Sequence, residues 1–401
     1  MSRLISAKTR PVQGRASPKV GPPQGPAGVS EPIAARHKIR FTSRESAAFI
    51  VEVRSEAARW FEAANKSDKA NIGMYLKTVL MLGVLGGGYA LLLTRSVSDL
   101  AFVGTLVLMG VAMAGIGFCV AHDALHGAYS SKSWVNTALG GSFDLLGANS
   151  YMWKITHNII HHTYTNIHGV DEDLSVSPLL RLSPEAPRLG IHRWQHWYAL
   201  AAYSTSTLFW VFVKDFKYFL RRDLAKSQRA GHQPGAIAWL LTSKVVYLGY
   251  AVALPLALIA RPWWQILAGF VLMHLVAGVI LGIVFQLAHV VEGTSHLLPD
   301  SSGVMEHDWA VHEMMTTANF ACSNPAVTWF VGGLNHQIEH HLFPKVCSVH
   351  YPHLSSIVRS VAARHGIEYH EHVTVWKAWK SHFRTLRVLG RQDQLEVASA
   401  A

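Results

Sequence analysis

The stretch AIAWLLTSKVVYLGYAVALPLALIARPWWQILAGFVLMHLVAGVILGIVFQLAHVV, residues 236–291, consists of two long apolar runs separated only by Arg261 and Pro262. The runs, 236–260 and 263–291, each exceed the roughly 20 residues that a helix needs to cross a bilayer. Because the connection is so short, the two runs predict a tight transmembrane helical hairpin.

A second hairpin precedes it, formed by the apolar runs 75–93 and 100–121. Each hairpin returns the chain to the side it left, so the N-terminal region, residues 122–235 and the region after 291 should share one side. These three regions hold 32 of the 36 lysines and arginines, and such an excess marks the cytoplasmic side. Two shorter apolar stretches, 137–148 and 197–213, are expected to be interfacial or re-entrant helices beneath a cytosolic cap.

The composition also favours a membrane protein. Half of the residues are apolar and only 15% are charged, below the usual share of about 25%. The net charge of +11 is spread over segments that flank the apolar runs, which fits lipid headgroups and argues against nucleic acid. The three cysteines contain no CxxC pair, so neither a disulfide framework nor a zinc knuckle is expected. No useful strand-like alternation appears.

Histidines are concentrated in three short clusters, HDALH (122–126), HNIIHH (157–162) and QIEHH (337–341). One HxxxH pair alone is more often a surface or core pair than a metal site. Three clusters at one membrane face would repel on protonation and leave ring nitrogens unsatisfied unless a metal binds them. A single catalytic zinc uses about three protein ligands, so the seven histidines indicate two metals. Imidazole alone does not choose among Zn, Cu, Fe and Ni.

One further ligand is expected at the end of the fourth run. Its 29 residues would extend about 43 Å as a helix, whereas the hydrocarbon core is about 30 Å thick. The surplus turns should carry His289 beyond the bilayer, while His274 lies at mid-membrane and is expected to pack. The fold class is therefore all-α integral membrane, with two hairpins, four spans and a cytosolic helical cap that holds a di-metal site.

The segments HDALHGAYS, WKITHNIIHHTYTNIHGVDEDL, FQLAHVVEG and the region around QIEHH resemble the membrane-bound fatty acid desaturases over about residues 70–390. The QIEHH form resembles the front-end and linoleoyl-CoA branch. This resemblance implies a di-iron centre that uses O₂ and two external electrons to place a cis double bond in a long acyl chain carried by CoA or by a lipid. The chemistry agrees, because an unactivated methylene offers neither an acidic proton nor a leaving group.

The resemblance implies a set of iron ligands and several weaker candidates. Gln337 occupies a position often held by histidine and is expected to act through water or a hydrogen bond. His336 would point about 100° away on a helix and is not expected to bind iron. Phe285 stands where some relatives have asparagine. The implied ligands are His122, His126, His157, His161, His162, His289, His340 and His341.

Other groups near the clusters have two interpretations each. Asp123 and Glu339 could orient imidazole N–H groups or form surface salt bridges. Trp153, four residues before His157, could line the acyl channel or pack in the core. Asp171 and Asp173 match the family pattern after the second cluster, without a chemical role that the sequence assigns.

The chain divides into four regions. Residues 1–40 form a basic, Pro/Gly-rich tail without a signal-peptide core and are expected to be disordered. Residues 41–73 should form a cytosolic helix before the membrane, 74–390 the membrane desaturase domain and 391–401 a C-terminal tail.

The expected partners are the acyl substrate, membrane lipids and a separate electron donor. No HPGG motif of a fused cytochrome b5 occurs in the sequence, so a ferredoxin or a free cytochrome b5 should supply electrons at the basic cytosolic face. A di-iron lipid hydroxylase is the first alternative, since ligand spacing does not separate the two reactions. A metal transporter is less favoured, because transporters usually place ionisable ligands inside the bilayer.

Overall fold

The computed structural model describes residues 39–42, 47–174, 177–221, 224 and 231–392. The proposed tails, 1–40 and 391–401, therefore lie almost entirely outside the described residues. A helix over Ala47–Ala63 falls within the segment expected to precede the membrane. Its buried face, which includes Phe49 and Val53, packs against the helix Tyr351–Arg364.

Four helices in the described part of the chain are long and apolar enough to cross a membrane, as the sequence predicts. Asn71 and Ser98 cap the first two by accepting hydrogen bonds from backbone N–H groups of the first turn. The four helices, called spans 1 to 4 in chain order, are Ile72–Thr94, Asp99–Leu125, Ala236–Leu258 and Trp263–His289.

Spans 2 and 4 form the centre of the bundle and pack closely against each other. At Gly110 a Cβ atom would lie 2.6 Å from the carbonyl oxygen of Met273, so only glycine permits this approach. Spans 1 and 3 are more peripheral, and they expose apolar side chains such as Val79 and Val245. Such faces fit contact with lipid.

Short helices between spans 2 and 3 enter the bundle. The hydroxyl of Thr207 donates to the carbonyl oxygen of His274, near the middle of span 4, at 2.8 Å. This contact supports the re-entrant interpretation of residues 197–213. His274 itself bonds Tyr247 and Thr207 through its ring, as expected of a packed residue. The helices that follow one another here, called the inserted helices, are Gln195–Ser204, Ser206–Phe209, Trp210–Lys214 and Asp215–Leu220.

The remaining elements cover one end of the bundle and form what we call the cap. Strand structure in the described residues is confined to two parallel pairs, Arg40–Phe41 with Val304–Met305 and Asn319–Phe320 with Glu371–His372. The cap elements that follow span 4 are Trp309–Thr316, Pro325–Phe330, Gln337–Leu342, Ser348–His350, Tyr351–Arg364 and Val375–Leu389. Those between span 2 and the inserted helices are Ser133–Gly140, Ser142–Leu145, Ser150–Trp153, Lys154–His161, His162–Tyr164 and Gly190–Trp194.

Candidate metal centre

The ends of spans 2 and 4 carry histidines to the same end of the bundle. His122 and His126 stand where span 2 leaves the bundle, and His289 is the last residue of span 4. The second cluster lies in a π-helical stretch, Lys154–His161, except for His162, which begins the next short helix. The third cluster lies in the short helix Gln337–Leu342. All three clusters predicted from the sequence therefore meet beneath the cap.

The histidines form two groups, and within each group the candidate ligand atoms all lie within 4.8 Å of one another. His162 lies between the groups, with its ring centre 4.5 Å from that of His340 and 4.5 Å from that of His341. We call the two sets of histidines the first group and the second group. The first contains His122, His126, His157 and His340, and the second contains His161, His289 and His341.

Many ring nitrogens at this point have nothing to bond. In the described structure the Nε2 atoms of seven histidines are buried without a hydrogen-bond partner, which is costly for a polar atom. A cation placed among them would accept their lone pairs, so the residues present fit a bound metal. The unpartnered Nε2 atoms belong to His126, His157, His161, His162, His289, His340 and His341.

The opposite ring nitrogens contact protein groups that orient the imidazoles. The Nδ1 atom of His161 lies 3.0 Å from Asp171, and that of His341 lies 2.7 Å from Glu313. An ionised carboxylate accepts only, so Nδ1 carries the proton and Nε2 keeps its lone pair for a metal. His161 favours the ionised form of Asp171. Burial raises the pKa of Glu313 well above its ordinary value, and a cation bound nearby would favour the ionised form there. Longer or neutral contacts of the same kind are His122–Asp123 at 3.4 Å, His157–Asp173 at 3.5 Å, His289–Thr316 at 3.4 Å and His340–Tyr351 at 3.2 Å.

Burial favours the neutral imidazoles that metal binding requires. It lowers the pKa of His157, His162 and His340 well below the ordinary value, and the neighbouring histidines lower it further. His161 is different: burial lowers its pKa, but the carboxylates of Asp171 and Asp173 together outweigh burial and the net shift is upward. Asp171 therefore makes the imidazole of His161 more basic and a stronger donor to a metal.

Asp173 also lies near two histidines, His157 and His161, close enough to join them around a metal. However, its Oδ1 atom accepts a hydrogen bond from the ammonium of Lys214 at 2.9 Å. We therefore treat Asp173 as a partner of His157. Sequence reasoning found no role for Asp171 or Asp173, although they follow the second cluster by only nine and eleven residues.

The two carboxylates inside the clusters are both buried, so neither forms a surface salt bridge. Asp123 accepts hydrogen bonds from the backbone N–H and the hydroxyl of Ser348, close to His122. Glu339 accepts from Asn319 and Tyr369 instead of a metal-facing imidazole. Burial raises its pKa to about 7.

His336 and Gln337 occupy different surroundings. Among the described residues, both ring nitrogens of His336 lack a hydrogen-bond partner, yet His336 belongs to neither metal group. Gln337 lines the cavity that reaches His340. Phe285 packs its ring 5.2 Å from that of His161 and 5.0 Å from that of His289.

Sequence reasoning missed Glu313 and Tyr351. Neither lies in a histidine cluster, and Glu313 is separated from His341 by 28 positions. The signal was a glutamate in an otherwise mostly apolar helix, Trp309–Thr316, where a fully buried carboxylate needs a partner. Its contacts with Thr165 and His341 supply that partner.

A cavity of about 320 Å³ leads from the first group between the inserted helices and span 4. Trp153 lines it and stacks on His157, with ring centres 4.4 Å apart and planes inclined by 21°. A small cavity of about 30 Å³, which we call the neck, shares the lining residues Phe143 and Trp210 with this cavity. Met113, also in the neck, lines a further apolar cavity of about 280 Å³ among the spans.

Comparison with known proteins adds independent information. A family model described as fatty acid desaturase matches residues 99–373. An sn-1 linoleoyl-lipid 6-desaturase of Synechocystis is 37% identical over 88% of this chain and 98% of its own length. A protein of the same description from Arthrospira platensis is 33% identical over 87% of the chain and 94% of its length. An acyl-lipid (8-3)-desaturase of Physcomitrium patens is 30% identical over 88% of the chain and 74% of its length.

Proposed function

We propose that this chain, which belongs to the fatty acid desaturase family and is an acyl desaturase of the membrane, is an O₂-dependent di-iron enzyme. We propose further that it acts on lipid-linked acyl chains. The observation that carries the proposal is the set of inward-facing, unpartnered Nε2 atoms in two groups at the end of an apolar cavity. Two groups support two metal ions, and the family supports iron.

The ligands of each iron follow from the grouping. The first group would hold one iron and the second group the other, with His162 placed to serve either. Bound iron supplies the oxidant that O₂ and two electrons generate, which is the chemistry an unactivated C–H bond requires. His336 stays outside this set, and Gln337 faces the cavity without joining either group.

The chain's own residues orient the ligands and the substrate. Asp171 and Glu313 hold the imidazoles of His161 and His341 through Nδ1, so that Nε2 keeps one direction. Trp153 forms a wall of the cavity beside His157. A narrow apolar channel that ends at the metal excludes water and fixes which carbon–carbon bond lies beside it.

The substrate proposal rests on the relatives and on the cavities. Two relatives are described as linoleoyl-lipid 6-desaturases and others as acyl-lipid desaturases, so we propose a glycerolipid-linked acyl chain with a new double bond at carbon 6. Beyond carbon 6 lies the longer part of a linoleoyl chain. The neck and the cavity among the spans supply an apolar path for that part.

The arrangement in the membrane is part of the same proposal. The distribution of lysine and arginine supports a cytoplasmic location for the cap and its histidines. A separate electron donor, a ferredoxin or a cytochrome b5, would bind that basic face and deliver the two electrons.

The test is production of a new double bond in a host that lacks polyunsaturated fatty acids. Cells expressing the chain are fed saturated, mono-unsaturated and di-unsaturated acids, and double bonds in each lipid class are located by mass spectrometry. We expect a new bond at carbon 6 of lipid-linked linoleoyl chains. Hydroxylated products alone would contradict desaturation.

Two matched histidine variants test the ligand set. His161→Ala should abolish the product and lower bound iron, because it removes a ligand of the second group. His336→Ala, equally buried but outside both groups, should retain iron. Iron per chain in purified protein is the measurement, and equal iron in the two variants would refute the assignment.

A further inference from the structure

Two buried lysine–aspartate pairs fix the inserted helices. The ammonium of Lys214 lies 2.9 Å from Asp173, and that of Lys244, in span 3, lies 2.6 Å from Asp215. Lys214 and Asp215 are adjacent in sequence, yet the partner of Lys214 lies beside the metal centre and the partner of Asp215 lies in span 3. The two pairs are thus alike in chemistry and burial, and they differ in what lies beyond them.

The Lys214 pair continues to a candidate iron ligand. One oxygen of Asp173 accepts from Lys214, and the other lies 3.5 Å from the Nδ1 atom of His157. The ammonium also lies 4.6 Å from the centre of the Trp210 ring, which holds it in place. Lys214, Asp173 and His157 therefore form one continuous network of contacts that ends at the first group.

The second group has no matching cation among the described residues. Asp171 accepts hydrogen bonds from His161 and from backbone N–H groups, and Glu313 accepts from Thr165 and His341. Neither carboxylate forms an ion pair with lysine or arginine in the described part of the chain. The carboxylate behind His157 is thus neutralised. Asp123, which lies 3.4 Å from His122 in the same group, forms no ion pair with lysine or arginine among the described residues. The first group therefore keeps one carboxylate without a cation, and the second group keeps two.

We propose that Lys214 is a positioning residue that makes the two metal positions electrostatically unequal. A carboxylate behind an imidazole makes it a stronger donor and stabilises the more oxidised metal ion. Lys214 offsets that effect at Asp173, so an iron held with His157 would have the higher reduction potential and would accept the first electron. This inference rests on the proposed di-iron function.

The experiment compares Lys214→Met, Lys214→Arg and Lys244→Met in purified full-length protein loaded with ⁵⁷Fe. Iron content, Mössbauer spectra of the half-reduced and fully reduced protein, and the reduction potentials are measured beside desaturase rate. We expect two irons and two unequal sites in the wild type. Lys214→Met should lower the higher potential, bring the two sites closer together and reduce the rate about tenfold or more.

The other variants separate charge from packing. Lys214→Arg should restore the wild-type potentials, because arginine keeps the cation. Lys244→Met should lower thermal stability while leaving the spectrum of the bound iron unchanged. If Lys214→Met loses iron, the double variant Lys214→Met with Asp173→Asn decides the question, since it removes both charges and should keep potentials near those of the wild type.

Several results would overturn the inference. Lys214→Met and Lys244→Met with indistinguishable potentials would make Lys214 a packing residue only. A higher KM for Lys214→Met at unchanged potentials would make it a substrate contact in the cavity. A double variant whose potentials fall as far as those of the single variant would exclude the charge effect. A wild-type protein without iron would overturn the proposed function and this inference with it.

Discussion

Glu313 determines the direction of His341. Glu313→Ala should leave the Nδ1–H of that ring and the hydroxyl of Thr165 without their carboxylate, so iron affinity should fall about 10- to 100-fold. Glu313→Gln keeps an acceptor and should lose less. The measurement is iron retained after dialysis against graded chelator. Glu292→Gln, at an exposed carboxylate paired with Arg384, is the control and should retain iron. Equal retention in all variants would show that Glu313 does not orient a ligand.

At the residue scale, the sequence predicts which histidines gather at the site, but it does not predict the groups that contact their Nδ1 atoms. The spacing of the three clusters marks seven of the histidines, and the length of the fourth apolar run marks His289. Their binding of iron stays a prediction. Asp171 was visible in the sequence but had no assignable role, because its partnership with His161 depends on how the chain turns between them. Glu313 and Tyr351 come from distant segments, and no local pattern marks them.

At the scale of elements, the two clusters beside π-helical turns were the least predictable. The sequence suggested α-helical spacing, but the N–H of His122 bonds the carbonyl oxygen of Gly117, five residues earlier. The second cluster lies within another such turn, Lys154–His161. These wider turns rotate the following side chains relative to an α-helix, and they often occur at functional sites. Hydrophobic periodicity carries no signal of them.

The inserted helices depend on a close approach to span 4. A Cβ atom at Gly278 would lie 2.3 Å from the carbonyl oxygen of Ser204, so Gly278→Ala should push the inserted helices away. We expect a loss of about 1–3 kcal/mol of stability, as overpacking typically costs, together with reduced activity. Thermal unfolding in detergent is the measurement.

Gly104→Ala is the matched control for that variant. Gly104 also lies in a span, but a Cβ atom there would meet no atom within 4 Å. Its unfolding temperature should equal or slightly exceed that of the wild type, since alanine favours a helix more than glycine does. A Gly278→Ala protein as stable as Gly104→Ala would show that the inserted helices can shift at no cost.

For the whole molecule, the four spans were predictable because crossing a bilayer is a property of each run by itself. Span 4 ends at His289, two residues before the end of the apolar run 263–291. The succession of cavities was not predictable, because it arises where three separate parts of the chain meet. Span 2 supplies Met113, the inserted helices supply Trp210, and the segment between them supplies Leu146.

The neck between the cavities should act as a length selector for the acyl chain. Met113→Trp would fill the neck, so long chains such as linoleoyl should lose turnover on the order of tenfold relative to shorter chains that end before it. Leu108→Trp, on the exposed side of the same span, is the control and should leave the preference unchanged. Cells are fed acids of graded length, and product ratios are measured by gas chromatography and mass spectrometry. Leu146→Trp fills the same neck from another segment, so an equal loss at all lengths in both neck variants would refute a path through the neck.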